Sequence, residues 1–318
     1  MRTLNERAHA LADAMAADAD QLGITVSKLE CGTRIIDCGV KAAGSVESGI
    51  QLANVCMGGA GHAERWGSDG GVWDGSAIRA DGEDDPISAC MASQYAGWAI
   101  KGEKFFAMGS GPMRAAACRE ELFQDIGRCE KAERCVGVLE TAKLPPDSVC
   151  IDIAEKCGIT PDRLTLLVAR TSSVAGTIQI VARSLETALH KLHTLKFDLE
   201  CVKGGWGTAP IPPHGDDDMA ALGRTNDAIL YGGEVHVVVE TSDEILQEMG
   251  PKVPSNSSPD HGEPFAKIFT RYDHDFYRID PLLFSPARII FLNRATGKQF
   301  GFGELAPNIL AESFGTKK

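Results

Sequence analysis

Five side chains with acid–base or hydrogen-bonding chemistry recur at helical spacing between residues 179 and 193. They are Gln179, Arg183, Glu186, His190 and His193, and their 4-3-4-3 spacing places them on one face of a helix. Two interpretations are open. On a solvated face, the arginine and glutamate form an ordinary pair that adds little stability. On a face that lines a cleft, the guanidinium favours the ionised carboxylate, which can then take a proton from water.

The two histidines of this stripe do not predict a metal site. His190 and His193 have neither a third nearby ligand nor a cysteine pair, which structural and catalytic zinc sites need. The sequence also has no Gly-x-Ser-x-Gly elbow and no signature of a catalytic cysteine, so nothing favours covalent catalysis. We therefore expect no metal and a reaction by acid–base chemistry.

A second candidate is the short stretch "GSGP", which runs into Met113 and Arg114. Its backbone N–H groups could form a nest for an anionic or carbonyl oxygen at a helix start, so Gly109, Ser110, Gly111 and Arg114 are candidate substrate ligands. The spacing matches neither a P-loop nor a dinucleotide fingerprint. A plain turn is the alternative.

Two further stretches could contact a flat heterocycle. "GGWGTAPIPP", residues 204–213, could form a rim with Thr208 as a polar contact, or it could be an ordinary surface loop. "GRTND" combines Arg224, Asn226 and Asp227 and so offers both donors and acceptors to a ring edge. The alternative for "GRTND" is a capped turn before a strand.

Apolar patterns predict the elements that must position these residues. Helices are expected at 3–22, 87–100, 147–157 and 173–196, and hairpins around 31–32, 232–233 and "RATGK". "KFFAMGS", "CVGVLET" and "RLTLLVAR" are predicted strands, whereas the glycine-dense stretch 40–82 is expected to lack long regular elements. The fold class is thus layered α/β (α+β) with mixed sheets. We place two α/β domains at 1–142 and 143–318, with "KLPPDS" as the linker and interleaved domains as the alternative.

Composition excludes several classes of protein. A formal net charge of −12 argues against nucleic-acid binding. No stretch approaches the roughly 18 apolar residues of a membrane span, and the N-terminus does not resemble a signal peptide, so a cytoplasmic protein is expected. The ten cysteines contain no Cys-x-x-Cys. We expect them to be reduced and to pack as small apolar side chains.

Seven motifs in fixed order identify a family. "DCGV", "VCMGG", "AGW", "FFAMGSGPMRA", "ARSLETALHKL", "GTAPIPP" and "GRTNDAILYGG" together closely resemble methenyltetrahydromethanopterin cyclohydrolases, most clearly over residues 30–240. The resemblance implies reversible hydrolysis of the cyclic N5,N10-methenyl cation of tetrahydromethanopterin to the N5-formyl compound in one-carbon metabolism. It also implies a pterin substrate, no metal or redox cofactor, and a homotrimer whose monomer has two α/β domains with a cleft between them.

The same resemblance assigns roles to residues. Glu186 resembles the acid–base carboxylate and Arg183 the arginine that tunes it, which are the pair already selected by spacing. Archaeal members have a lysine just before "AGW", where this chain has Tyr95; Tyr95 could hold the attacking water, or Lys101 or Lys104 could replace that lysine. "GRTND" is expected in the pterin-binding wall. The alternatives are another pterin-dependent one-carbon enzyme, such as a formyltransferase, and a non-catalytic pterin-binding protein.

Overall fold

Two mixed six-stranded sheets form the framework of the residues that this computed structural model describes, which are 2–67, 77–82, 84–215 and 217–316. The strands are β1 Thr25–Lys28, β2 Arg34–Asp37, β3 His62–Trp66, β4 Ala77–Asp81, β5 Trp98–Gly102, β6 Phe105–Ser110, β7 Cys135–Glu140, β8 Leu164–Ala169, β9 Val202–Pro210, β10 Glu234–Val239, β11 Arg288–Asn293 and β12 Lys298–Gly303. The helices are α1 Leu4–Ala17, α2 Ala19–Leu22, α3 Val46–Cys56, α4 Met113–Ala117, α5 Leu122–Ile126, α6 Asp147–Lys156, α7 Val174–Val181, α8 Ser184–Thr194, α9 Asp218–Leu230, α10 Asp243–Met249, α11 Phe265–Arg271 and α12 Pro307–Ser313. A π-helix covers Ile87–Gln94.

The first compact unit comprises Met1–Ala63 and Ile87–Gln179. Its sheet has the order β1-β2-β8-β7-β6-β5, in which β2, β8 and β7 are parallel and the outer strands are antiparallel. β8 is buried along its whole length, as expected for a central strand covered on both faces. Ile35 and Ile36 accordingly belong to two different core clusters, because successive side chains of a strand point to opposite faces.

The second unit comprises Glu64–Pro86 and Ile180–Lys318. Its sheet has the order β12-β11-β10-β9-β4-β3, with β10 and β11 parallel. α8 packs on β9, β10 and β4. A separate core of aromatic and aliphatic side chains joins α9, α11 and α12, and it includes Tyr231, Phe265 and Leu310.

The two units divide the chain differently from the predicted division at 142/143. The first unit extends to Gln179 and the chain crosses between the units near Ala63, Pro86 and Gln179, so the units interleave. The physical reason is strand pairing: β8 lies between β2 and β7 in the first sheet and is parallel to both. "KLPPDS" is thus a connection within the first unit.

Most predicted elements are confirmed. Helices cover most of 3–22 and 147–157, the hairpin around 31–32 is formed by β1 and β2, and the "RATGK" hairpin by β11 and β12. The strands predicted in "KFFAMGS", "CVGVLET" and "RLTLLVAR" are β6, β7 and β8. None of the helices in the described residues is long and apolar enough to cross a membrane.

Several predicted elements are wrong. The helix expected at 173–196 is two helices separated by a turn at residues 182–183, and the one expected at 87–100 ends at Gln94 and is followed by β5. α3 lies inside the glycine-dense stretch 40–82, of which residues 68–76 fall outside the described part. Ser45 and Ser48 form a capping box at the start of α3. The prediction missed this helix because it considered only the glycine content of the stretch.

Two corrections concern the candidate site stretches. No hairpin forms around 232–233, because 218–230 is α9 and only 234–239 is a strand. Asp217 explains the helix, since its side chain accepts a hydrogen bond from the N–H of Ala220 and caps α9. "GGWGTAPIPP" is largely β9 and not an ordinary loop, while its role as a rim for substrate stays a prediction.

The cysteines also require a correction. Cys118 and Cys129 form a disulfide, with Cα atoms 5.5 Å apart, so the expectation of reduced cysteines is wrong for this pair. The two cysteines flank α5, whose short turn brings them within bonding distance. The other eight cysteines, all within the described residues, are not disulfide-bonded, and six of these are buried, as expected for small apolar side chains.

Candidate active site

The start of α8 carries the proposed acid–base pair. α7 ends at Val181 and Arg183 is the N-cap residue of α8, with φ −91° and ψ 9°. Glu186 lies in the first turn of α8, where the partial positive charge of the helix start favours a carboxylate. The prediction that Arg183 and Glu186 lie on one continuous helix is therefore wrong. Arg183 precedes the first turn of α8 as its N-cap residue, and Glu186 lies within that turn.

Two glycines of β9 allow α8 to approach its sheet. A Cβ atom at Gly207 would lie 2.5 Å from Ser184 Oγ and 3.0 Å from the Leu185 nitrogen, and one at Gly205 would lie 2.9 Å from Leu185 Cδ1. A side chain at Gly207 would push the helix start outward, because the Leu185 nitrogen belongs to the backbone of α8. One at Gly205 would displace the Leu185 side chain. The "GGWG" motif thus fixes where the first turn of α8, and hence Glu186, lies on the sheet.

Burial decides between the two interpretations of the stripe. Gln179, Arg183 and Glu186 are 1%, 7% and 6% exposed, so the interpretation as a solvated face is wrong for these three. Burying charge is costly unless the groups are paired, and retained buried charges are common at functional sites. His190 and His193 are half-buried. The described residues contain no group of three or more histidine, cysteine or acidic side chains that could hold a metal ion.

Tyr95 directly follows the π-helix. Its backbone N–H donates to the carbonyl of Cys90, 2.8 Å away, which continues the wide helical turn. π-helical turns are rare and often occur at functional sites. Tyr95 is half-buried, whereas Lys101 and Lys104 are exposed on and next to β5. Which of the three replaces the archaeal lysine stays a prediction.

The "GSGP" stretch connects β6 to α4. Gly111 has φ 86°, and its N–H donates to the carbonyl of Ser93. Gly109 and Ser110 end β6, and the Ser110 hydroxyl contacts the Cys56 thiol at 3.2 Å. A strand–turn–helix start is therefore present, as predicted, but the Gly111 amide is already used within the protein.

Arg114 is fully buried. Its Nε and Nη2 atoms donate to the two carboxylate oxygens of Glu120, at 2.8 and 2.6 Å, and its Nη1 donates to the carbonyl of Met91 at 2.9 Å. These contacts occupy the guanidinium within the protein. The geometry gives Arg114 a structural role, while direct binding of substrate by this residue stays a prediction.

Thr208 lies on β9, half-buried, opposite Arg79 of β4 and Glu234 of β10. Two positions along β9, the Trp206 ring stacks on His236 with centroids 4.6 Å apart, and the Arg79 guanidinium lies 5.8 Å from the Trp206 ring. Thr208 therefore lies beside a row of planar groups, and its contact with substrate stays a prediction.

The "GRTND" residues lie inside α9 and not at the mouth of a strand. Arg224 donates to the carbonyls of His214 and Ser313, and Asn226 donates to the carbonyl of Leu222 at 2.8 Å. Asp227 is fully buried and accepts from the Phe265 N–H at 2.8 Å and the Ser313 hydroxyl at 2.5 Å. Arg224 and Asp227 connect α9 to neighbouring segments of the second unit, whereas Asn226 bonds within α9. A role of the three in binding the pterin stays a prediction.

Burial raises the pKa of Asp227 to about 7, against the opposing effect of its two hydrogen-bond donors. A carboxyl group that is partly protonated near neutral pH is a weaker acceptor for the polar edge of a ring than a fully ionised carboxylate. The raised pKa therefore favours a structural role for Asp227.

One residue that sequence analysis missed lies in "DCGV". Asp37 is 2% exposed and accepts hydrogen bonds from the N–H groups of the four residues 39–42, at 2.6 to 3.2 Å. It thereby shapes the loop after β2, at the carboxyl end of a parallel strand, where α/β proteins often bind ligands. An aspartate at a strand end followed closely by glycine is the signal that could have found it.

Comparison with known proteins agrees with the motifs. A family model described as "Cyclohydrolase (MCH)" matches residues 3–314. Three relatives carry the name methenyltetrahydromethanopterin cyclohydrolase. The one from Methylobacillus flagellatus is 44% identical over 316 residues, which cover 98% of this chain and 95% of the relative. The one from Methylosinus trichosporium is 48% identical over 231 residues, covering 73% of this chain and 89% of the relative. The one from Methanosarcina mazei is 39% identical over 323 positions that cover all of both chains. The chain therefore belongs to the cyclohydrolase (MCH) family.

Proposed function

We propose that this chain hydrolyses N5,N10-methenyltetrahydromethanopterin reversibly to N5-formyltetrahydromethanopterin. The observation that carries the proposal is the match to cyclohydrolases of that name over nearly the whole length of this chain and of the relatives. The buried pair Arg183 and Glu186 at the start of α8 supports it, because hydrolysis of this substrate needs a positioned base.

The proposed mechanism begins with the substrate's own electrophilicity. The methenyl carbon bridges two nitrogens and carries positive charge, so water can attack it once the water is positioned and loses a proton. Glu186 takes that proton as the C–O bond forms, and a neutral tetrahedral adduct results. Arg183 favours the ionised form of the carboxylate before the attack.

Collapse of the adduct completes the reaction. The bond between the former methenyl carbon and N10 breaks, Glu186 returns its proton to N10, and the hydroxyl oxygen becomes the formyl carbonyl. The hydroxyl proton leaves to solvent, so one proton is released for each cation hydrolysed. In this mechanism Tyr95 holds the attacking water, and the substrate and water are the only reactants.

Further parts of the proposal concern binding and assembly. We propose that Gly109, Ser110, Gly111, Arg114, Thr208, Arg224, Asn226 and Asp227 contribute to the pterin-binding surface, with the internal contacts of Arg114 and Asp227 making these two the weakest members. We also propose a cytoplasmic homotrimer that needs no metal or redox cofactor. Light scattering after size-exclusion chromatography should give about three times the mass of one chain.

The decisive experiment follows the absorbance of the methenyl cation with purified protein and substrate. The proposed function predicts rapid loss of the methenyl chromophore with water as the only second reactant, and its return when formyl compound is supplied at acidic pH. Turnover that requires a second substrate would instead indicate a formyltransferase or another pterin-dependent enzyme. Tight binding without any change in absorbance would indicate a non-catalytic pterin-binding protein.

A further inference from the structure

We propose that Arg114 and Glu120 are positioning residues that hold the Tyr95 ring, and that Gly97 of the "AGW" motif provides the space in which they do so. This inference rests on the proposed function, in which Tyr95 holds the attacking water. It assigns a mechanistic purpose to the ion pair between the buried Arg114 and the half-buried Glu120.

Arg114 joins three segments of the first unit. Its Nη1 donates to the carbonyls of Met91 and Ser93 in the π-helix, at 2.9 and 3.4 Å, while its other nitrogens bind Glu120 in a two-point ion pair. The planar guanidinium suits this arrangement, since its donors lie in a fixed fork. The arginine therefore fixes the end of the π-helix relative to the segment that contains Glu120.

Two aromatic rings lie against the guanidinium. The Arg114 Cζ atom is 5.0 Å from the centroid of the Tyr95 ring and 5.4 Å from that of Phe123. These distances are within the range of cation–π attraction, which is stronger when the cation is desolvated. Arg114 is fully buried, so the contact with Tyr95 restricts the ring at the position directly after the π-helix.

Gly97 packs closely against both Glu120 and Tyr95. A Cβ atom at Gly97 would lie 2.0 Å from Glu120 Oε2, 2.6 Å from Tyr95 Cε1 and 2.9 Å from Tyr95 Cδ1. Only a residue without a side chain lets the carboxylate and the ring occupy these positions together. The glycine of "AGW" is thus explained by close packing and not by an unusual backbone angle.

The segment that contains Glu120 is itself anchored at both ends. Cys118 and Cys129 close it with a disulfide, and the carboxylate of Glu130 accepts from the backbone N–H groups of Leu4 and Asn5, each at 2.9 Å. A carboxylate on an anchored segment loses less conformational entropy when it holds a partner than one on a free loop does. Glu120 can therefore restrain Arg114 and, through it, Tyr95.

The first test uses Gly97→Ala, which displaces Glu120 and the Tyr95 ring without changing any charge. We expect kcat to fall by about tenfold or more, because small misplacements of catalytic groups cost up to about a hundredfold, while KM changes little. The matched control is Gly301→Ala on β12, where the nearest atom to an added Cβ is 4.0 Å away and kcat should not change. An unchanged kcat in Gly97→Ala would overturn the proposal.

The second test is a double-mutant cycle. Glu120→Gln should lower kcat about tenfold in the wild-type background but less than about twofold when Tyr95→Phe is already present, because the pair acts through the tyrosine hydroxyl. Asp13→Asn, which breaks the 2.6 Å pair with Arg34 in the same unit, is the control and should leave kcat unchanged. Equal losses in both backgrounds would show a merely structural role and would overturn the proposal.

A failure of the proposed function can be distinguished from a failure of this inference. If wild-type protein does not consume the methenyl cation, the proposed function fails. If wild-type protein is active and the cycle gives no coupling between Tyr95 and Glu120, only this inference fails. Where Glu120→Gln does not fold, as judged by its melting curve, the same cycle with Gly97→Ala in place of Glu120→Gln gives the answer.

Discussion

At the level of single residues, the proposed chemistry centres on Glu186, which is 6% exposed in the first turn of α8. Spacing alone selected Glu186 and Arg183, because residues three apart on a helix are neighbours. Spacing could not reveal the break at residues 182–183 or the burial, since both depend on how α8 packs on β9 through Gly205 and Gly207. Spacing thus selected the two residues as a hypothesis, whereas their burial was not predictable from it.

Arg183→Ala should change the pH dependence of the reaction as well as its rate. Loss of the positive charge disfavours the ionised carboxylate of Glu186, so the acidic limb of the kcat/KM profile should move to higher pH. Rates from pH 5 to 9 measure this shift, and Arg183→Lys, which keeps the charge, should shift the limb less. A uniformly lower profile with an unmoved limb would mean that the guanidinium only positions substrate.

At the scale of elements, "GRTND" shows where sequence reasoning fails. The run "AILYGG" has apolar residues followed by two glycines, which is typical of a hairpin. The structure instead forms α9, because Asp217 caps its start and the buried Asp227 joins it to α11 and α12. The strands of the first sheet, by contrast, were predictable because continuous apolar runs such as "LTLLVA" are typical of strands buried on both faces.

The stability of Asp227→Asn relative to wild type should increase as pH rises. The pKa of Asp227 is about 7 in the folded protein and about 4 in an unfolded chain, so the folded state favours the protonated acid. Its contribution to stability is complete below about pH 4 and is lost as pH rises through 7. Asparagine mimics the neutral form at every pH. The melting temperature of Asp227→Asn minus that of wild type should therefore be more positive at pH 8.5 than at pH 5. Each kcal/mol of change in the free energy of unfolding corresponds to about 2 to 4 °C.

Asp243 provides a control because its pKa is shifted in the direction opposite to that of Asp227. Lys298, together with Thr296 and Asn293, holds the pKa of Asp243 below its usual value, so its contribution is present at neutral pH and is lost on acidification. The same temperature difference for Asp243→Asn should become more negative as pH rises from 3 to 6. A difference for Asp227→Asn that does not change with pH would contradict the assignment of a raised pKa.

At the scale of the whole molecule, the chain contributes two separate stretches to each compact unit. The sequence predicted two α/β domains but not their composition, because strand order in a sheet is decided by pairing between distant residues. β8 completes the first sheet between β2 and β7 although Asp37 and Leu164 are 127 positions apart in the sequence. No local pattern near residue 142 contains that information.

A fragment of residues 1–142 should not fold cooperatively. It lacks β8, so β1 and β2 lose their pairing with the rest of the first sheet, and it lacks α6 and α7 as well. Urea titration followed by circular dichroism should show a broad, non-cooperative change, whereas the full chain should give a sharp transition. A sharp transition for the fragment would contradict the observed division of the units.

The most direct test of the central claim is the turnover of methenyl substrate by Glu186→Gln, followed by absorbance beside wild type and the surface control Glu244→Gln. Glu186→Gln should lower kcat by about a hundredfold to ten-thousandfold, with substrate affinity within a few-fold of wild type, and Glu244→Gln should leave kcat unchanged. Turnover by Glu186→Gln within a few-fold of wild type would contradict the claim that this buried carboxylate takes the proton from water.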